Sequence, residues 1–120
     1  MKSRVRESAV IHTLRQRLRQ YQPRALALEL PEAAVLMPVT DSSTPELILT
    51  VRSAAMPTHA GEVAFPGGKH DPADPDLLAT ALRESREEVG LDVTDVEVLR
   101  QLSPLASRYG MKVTPFVGVV

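Results

Sequence analysis

Arg83-Glu84-Ser85-Arg86-Glu87-Glu88-Val89-Gly90-Leu91, with Phe65-Pro66-Gly67-Gly68-Lys69 upstream, is the stretch from which the rest of the chain can be read. Glu84, Glu87 and Glu88 fall at i, i+3 and i+4. On a helix they share one side, within an arc of about 100° at roughly 100° per residue. Carboxylates placed this close repel one another and weaken the helix. Their grouping makes physical sense when a cation lies between them, and hard divalent ions with oxygen ligands, Mg²⁺ above all, suit such donors. On its own, Arg-Glu-x-x-Glu-Glu would be a solvated helix face. The other reading is a carboxylate cluster that holds a metal ion, through which the chain handles phosphates.

The flanks predict the local structure. Asp71-Pro72-Ala73-Asp74-Pro75 is turn chemistry. Asp74 suits a helix N-cap, and Pro75 suits the first helical position, where a missing N–H costs nothing. The helix then runs to Val89, with Gly90 as its stop. Leu78, Ala81, Leu82, Ser85 and Val89 form its core-facing stripe. Glu84 and Glu88 flank that stripe, and Glu87 lies further round. Upstream, 63–65 reads as a short strand entering a Gly67-Gly68 turn.

Further out, Val10, Ile11, Leu14, Leu18 and Tyr21 recur at helical spacing between arginines, which predicts an amphipathic helix over 7–21 ended by Pro23. Residues 33–39 and 46–52 are strand-like, and the turn cluster at 40–45 suggests that they form a hairpin. Residues 93–100 and 112–120 also read as strands, separated by a loop holding Arg108, Tyr109 and Gly110. Helix, strands, strand–loop–helix and strands in this order predict an α/β or α+β sandwich. We read 1–30 as a basic helical segment packed on a domain formed by 31–120. Phe116-Val117-Gly118-Val119-Val120 still reads as a buried strand, so the natural chain is expected to continue beyond Val120.

Composition narrows the classes. A length of 120 residues suits one domain, and 43% apolar residues suit a packed core. No apolar run approaches the ~20 residues of a membrane span. The chain has no cysteine, which removes disulfide and thiol chemistry and fits a reducing compartment. The N-terminus has no apolar region of the secretory kind. The net charge of −1 hides an asymmetry, because residues 1–24 hold seven basic residues against Glu7 and the remainder is acidic. Such an arm is a solvated helix face, an attractor of polyanions or an arginine-rich mitochondrial-type leader. Two Tyr, two Phe and no Trp argue against single-strand nucleic-acid binding by stacking.

Arg83, Glu84, Glu87, Glu88, Gly90 and Leu91, with Gly68 opening the pattern, resemble the Nudix box. In that family a loop–helix–loop presents metal-binding glutamates for hydrolysis of nucleoside diphosphates linked to another moiety. The resemblance implies an α/β/α sandwich with a mixed sheet, with Glu84, Glu87 and Glu88 holding Mg²⁺ or Mn²⁺. Arg83 either binds phosphate or, as the resemblance implies, pairs with a nearby carboxylate to orient the cluster. The usual box has a glutamate six residues after the glycine and seven residues before the arginine. Here Asp74 takes that place with eight residues following, so Asp74 is either the first acid or the helix cap.

Leu49-Thr50-Val51-Arg52-Ser53, followed by His59-Ala60-Gly61-Glu62-Val63-Ala64-Phe65-Pro66-Gly67-Gly68-Lys69, resembles the coenzyme A pyrophosphatase branch. The longer aspartate-containing spacer and Val113-Thr114-Pro115-Phe116-Val117-Gly118 are similar to that branch too. Pro57 departs from it, standing where the branch carries a basic residue. The resemblance implies cleavage of coenzyme A or acyl-coenzyme A to 3′,5′-ADP and 4′-phosphopantetheine. Arg52, His59, Gly67, Gly68 and Lys69 are then the candidate substrate contacts. The alternatives are another nucleoside diphosphate substrate or a non-catalytic binding module. The partner expected is a small nucleotide, with no nucleic acid or membrane, and a homodimer is left open. The location expected is cytoplasmic, or the mitochondrial matrix in a eukaryote.

Overall fold

Residues 32–39 and 112–119 are almost continuously apolar, as strands covered on both faces must be. A computed structural model of the chain describes residues 8–51 and 61–120. In it β1 (Glu32–Val39) and β7 (Lys112–Val119) lie side by side in parallel, in register from Glu32 opposite Lys112 to Val39 opposite Val119. Each contains a proline, which withholds a ladder donor. The proline carbonyls still accept, Pro38 from Ile48 N at 3.0 Å and Pro115 from Leu102 N at 2.8 Å.

The alternation of side chains along these two strands divides the core. Ala34, Leu36 and Phe116 face α2 (Leu77–Val89), where they pack with Ala81, Leu77, Leu78 and Leu82. Val39, Val117 and Val119 face the other way and pack with Ile11 and Leu18 of α1 (Ala9–Gln20). A period of two on the strands and 3.6 on the helices thus yields three layers, helix on sheet on helix. The sheet is mixed. β4 (Gly67–Lys69) runs antiparallel to β1, while β5 (Glu97–Gln101) and β6 (Leu105–Ala106) run antiparallel to β7, giving the order β4-β1-β7-β5 with β6 off that path. A separate ribbon pairs β2 (Thr50–Val51) with β3 (Val63–Ala64).

Both helices begin at a side-chain cap. Ser8 Oγ accepts from Ile11 N at 3.1 Å, and α1 is then pinned to β5 by a two-pronged Arg15–Glu97 ion pair. The Tyr21 hydroxyl lies 2.6 Å from Ser103 Oγ, and the Tyr21 carbonyl accepts from Arg100 at 2.6 Å. One flank of the basic helix is therefore spent on packing and pairing. At the start of α2 the cap is Asp76, whose carboxylate accepts from Ala79 N at 2.8 Å. This corrects the assignment of the cap to Asp74 and of Pro75 to the first helical position. Gly90 ends the helix at φ 70°, the left-handed conformation that glycine adopts without strain.

Two further expectations change. The strand predicted over 46–52 shrinks to Thr50–Val51 and pairs with β3, leaving only a bridge between Val39 and Leu47 as the remnant of a hairpin with β1. β7 fills one edge of β1 along its whole length and β4 takes Ala33–Val35 on the other, so only the end of β1 near Val39 is left to meet this segment. The Gly67-Gly68 turn is instead strand β4, with Gly67 opposite Val35 and Gly68 opposite Ala34. A Cβ at Gly67 would lie 2.3 Å from the Ala34 carbonyl oxygen, so glycine is required by close backbone approach.

Leu36 is fully buried between β7 and α2. Leu36→Ala should lower stability by about 2–5 kcal/mol, the usual range for a buried leucine truncated in a close-packed core. The urea midpoint reads this, and an unchanged midpoint would show that Leu36 is not at the centre of the α2 layer.

Candidate active site

α2 crosses over β4 and thereby brings the acidic face of the helix to the glycine strand. Arg83 organises the junction. Its Nε and Nη2 donate to the two oxygens of Asp74, each at 2.9 Å, and its Nη1 donates to Glu84 Oε1 at 2.8 Å. Weaker contacts reach Glu87 Oε2 at 3.5 Å and the Lys69 carbonyl at 3.4 Å. One planar guanidinium thus ties the loop before the helix, the helix itself and the glycine strand, a task suited to its fixed fork of donors.

Asp74 is the most enclosed member, with a side chain only 8% exposed. It also accepts from Thr80 Oγ1 at 2.8 Å and from Asp71 N at 3.1 Å. The Arg83 fork, aided by these donors, holds its carboxyl well below the ordinary carboxylate range. The same carboxylates raise the guanidinium pKa further, so Arg83 is a fixed cation. The two readings of Asp74 are thereby narrowed, since it does not cap the helix but anchors Arg83. His70 is partly buried, with Nδ1 2.8 Å from Thr80 Oγ1.

The three glutamates lie at different depths. Glu84 has a side chain 20% exposed and is held by Arg83. A Cβ on Gly68 would fall 2.5 Å from the Glu84 carboxylate carbon, so the bare glycine backbone forms the cradle in which that carboxylate rests. Glu87 projects further into solvent, with a side chain 58% exposed. Glu88 faces a cavity of about 390 Å³ lined also by Thr50, Val51, Ala64, Phe65, Gly67 and Tyr109. Among the described residues, no three His, Asp or Glu side chains converge closely enough to hold a metal ion. The donors nevertheless fit a hard divalent cation in kind, being carboxylate oxygens on neighbouring helix positions beside a glycine cradle. Glu87 and Glu88 are exposed, so gathering them is a matter of side-chain rotamers.

Other candidates fall elsewhere. Lys69 is exposed at the end of β4, while Arg52 and His59 lie outside the described residues. Phe116 belongs to the core, whereas Phe65 is half-buried on the cavity wall. Sequence reasoning missed Thr80, Asp76 and the grouping of Glu62 with Arg108 and Tyr109. Thr80 carried a signal, as a polar residue beside the apolar stripe of α2. The Glu62 group carried none, because its members are far apart in the chain.

A mixed sheet between two helices, with an acidic helix laid over a glycine strand, places the chain in a fold class shared with solved hydrolases. The crystal structure of a Nudix hydrolase from Alicyclobacillus acidocaldarius superposes with a TM-score of 0.65 at 19% identity, covering 79% of this chain and 72% of that one. A Nudix domain family model matches residues 30–115, and the chain belongs to the Nudix family. It is 50% identical over 103 residues to the uncharacterized Nudix hydrolase NudL of Yersinia enterocolitica serotype O:8, covering 86% of this chain and 53% of that protein. It is 48% identical over 99 residues to a Klebsiella aerogenes protein of the same description, covering 82% of each. The chain spans about half the length of the first of these and of a Photorhabdus laumondii relative. Nudix hydrolases generally use divalent metal ions. No helix among the described residues is long and apolar enough to cross a membrane.

The depressed Asp74 pKa sets a pH signature. Stability from the Asp74–Arg83 fork is fully present above the unfolded-state aspartate value of about 4 and is lost as pH falls through the lower folded-state value. Asp74→Asn should therefore unfold at lower urea than the parent at pH 7, and the gap should narrow at pH 3 and below. A gap that stays constant across this range would show that the carboxylate charge contributes nothing.

Proposed function

We propose that this chain carries the catalytic centre of a metal-dependent diphosphatase that cleaves coenzyme A or acyl-coenzyme A to 3′,5′-ADP and the corresponding 4′-phosphopantetheine. The observation that carries this reading is the sequence from Leu49 to Ser53 and from His59 to Lys69, whose last three residues form the strand that packs with the acidic helix. Fifty per cent identity to NudL over most of the chain supports the reading at the level of the family.

The chemical difficulty is charge. A diphosphate repels an anionic nucleophile, and negative charge grows on the phosphate that leaves. Mg²⁺ or Mn²⁺ held by Glu84, Glu87 and Glu88 would neutralise that charge and acidify water. The chain's own residues do the positioning. Asp74 fixes Arg83, Arg83 fixes Glu84, and Gly68 leaves the room in which the Glu84 carboxylate sits. Lys69, next to that glycine, and Arg52 and His59 upstream are assigned to substrate phosphates. Water attacks phosphorus, the anhydride P–O bond breaks, and a carboxylate of α2 or of another loop takes the proton from the water.

A second reading keeps the chemistry and changes the substrate. Pro57 stands where the coenzyme A branch has a basic residue, which favours a nucleoside diphosphate derivative that does not need that contact, such as ADP-ribose, NADH or a dinucleoside polyphosphate. A panel of these compounds compared with coenzyme A by kcat/KM decides between the two. Coenzyme A should lead the panel and yield both half-molecules by mass in the presence of Mg²⁺. Failure to form them, with turnover of another diphosphate, would transfer the assignment to that compound.

The glycine cradle gives a sharper test of the site itself. Gly68→Ala pushes on the tip of a flexible side chain, so the fold should survive while Glu84 is displaced by about 1 Å or more. A displacement of that size at a reacting centre costs on the order of 100-fold in kcat. Parent-like kcat in a variant with a parent-like melting temperature would remove Glu84 from the catalytic set.

A further inference from the structure

The turn between β6 and β7 carries Arg108 and Tyr109. The Arg108 guanidinium and the Tyr109 hydroxyl both donate to one oxygen of the Glu62 carboxylate. Arg108 also sits over the Tyr109 ring, 4.9 Å from its centroid, which restrains the guanidinium by a cation–π contact. Two donors converging on a single oxygen, one of them a held cation, is the geometry of an anion-binding fork. The fork stands at the rim, with the Arg108 side chain 73% exposed and that of Glu62 35% exposed. Glu62 and Tyr109 also line the cavity that Glu88 lines.

The charge around this cavity needs a cation. Its titratable lining groups among the described residues are Glu62, Glu88 and the Tyr109 phenol. Arg83 is committed to Asp74 and Glu84 and has little left to offer a phosphate. Arg108, stacked on the Tyr109 ring that lines this cavity, supplies such a cation.

We propose that Arg108 and Tyr109 form a subsite for a phosphate monoester carried by the ligand outside the diphosphate that is cleaved, and that the Glu62 carboxylate fills this subsite until the ligand displaces it. A phosphate oxygen offers the fork the same acceptor as Glu62, with more charge. Both partners are exposed enough for exchange, and an exposed ion pair in water is weakly held. Identifying the monoester as the 3′-phosphate of coenzyme A rests on the substrate proposed above, whereas the subsite itself rests on the fork.

Calorimetric titration with 3′,5′-ADP and with 5′-AMP tests it, because the two ligands differ only by the monoester and neither is turned over. The parent should bind 3′,5′-ADP about tenfold more tightly, as expected of one charge-assisted contact. Arg108→Ala should abolish that preference and leave 5′-AMP binding unchanged, and Arg108→Lys should keep part of it. Glu62→Gln removes the competing charge and should tighten 3′,5′-ADP binding. A parent with no preference, or an R108A variant that keeps the preference or weakens both ligands equally, would overturn the subsite. Weaker 3′,5′-ADP binding by E62Q would show Glu62 to be a tether and overturn the displacement. A full preference in a protein that does not cleave coenzyme A would sustain the subsite and defeat only the substrate assignment.

Discussion

The parallel pairing of β1 and β7 is the constraint on which the other elements depend. Two parallel neighbours cannot be joined by a tight turn, so the chain between them has to leave the sheet and return. Everything that bears on chemistry lies in that excursion, including the glycine strand, the acidic helix and the turn with Arg108. The pair is also apolar on both faces. It therefore demands a helix on each side, and the helix on the side of Ala34, Leu36 and Phe116 is the one with the glutamates. The packing that stabilises α2 and the placement of its carboxylates are consequences of the same alternation along β1.

Packing alone would leave α2 free to shift along the sheet. Arg83 supplies the registration. Its donors reach the loop through Asp74, the helix through Glu84 and the strand through the Lys69 carbonyl. Gly68 completes the arrangement from below, because any larger residue would occupy the space of the Glu84 carboxylate. Two pressures thus act on the glycine pair, backbone approach at Gly67 and carboxylate room at Gly68.

These pressures explain what could be read from the sequence and what could not. Helices announce themselves by periodicity, and both were legible, with Gly90 a visible stop. β1 and β7 were legible as apolar runs of strand length. The glycines were misread because Gly-Gly signals a turn by default, and only the neighbour across the sheet reveals that a strand needs them. Asp74 and Asp76 present the same chemistry two positions apart. Asp76 is the cap because Asp74 is drawn to Arg83, nine residues ahead, and a long-range partner outranks a local propensity. The 46–52 segment has a strand composition, yet β4 takes part of the β1 edge it would need, so it meets β1 only at Val39 and pairs Thr50–Val51 with β3. The glutamates were legible as a cluster, but their separate environments under Gly68, in solvent and along the cavity were not.

Carboxylates in this molecule serve two physical ends, and enclosure separates them. Asp74 is almost wholly covered, with its oxygens occupied by Arg83, Thr80 and a backbone amide. Breaking that set would strand a charge away from water, which is strongly unfavourable, so Asp74 and Arg83 behave as scaffold. Glu62 meets Arg108 at an open rim, where water can replace either partner at little cost. Glu84 stands between these extremes, half held by Arg83 and still reached by solvent. A group that must bind a cation without being locked to its guanidinium neighbour needs that intermediate exposure. The gradient from Asp74 in the loop before α2, through Glu84, to Glu87 is therefore a gradient from fixed anchor to available ligand, and it follows how far each side chain is exposed.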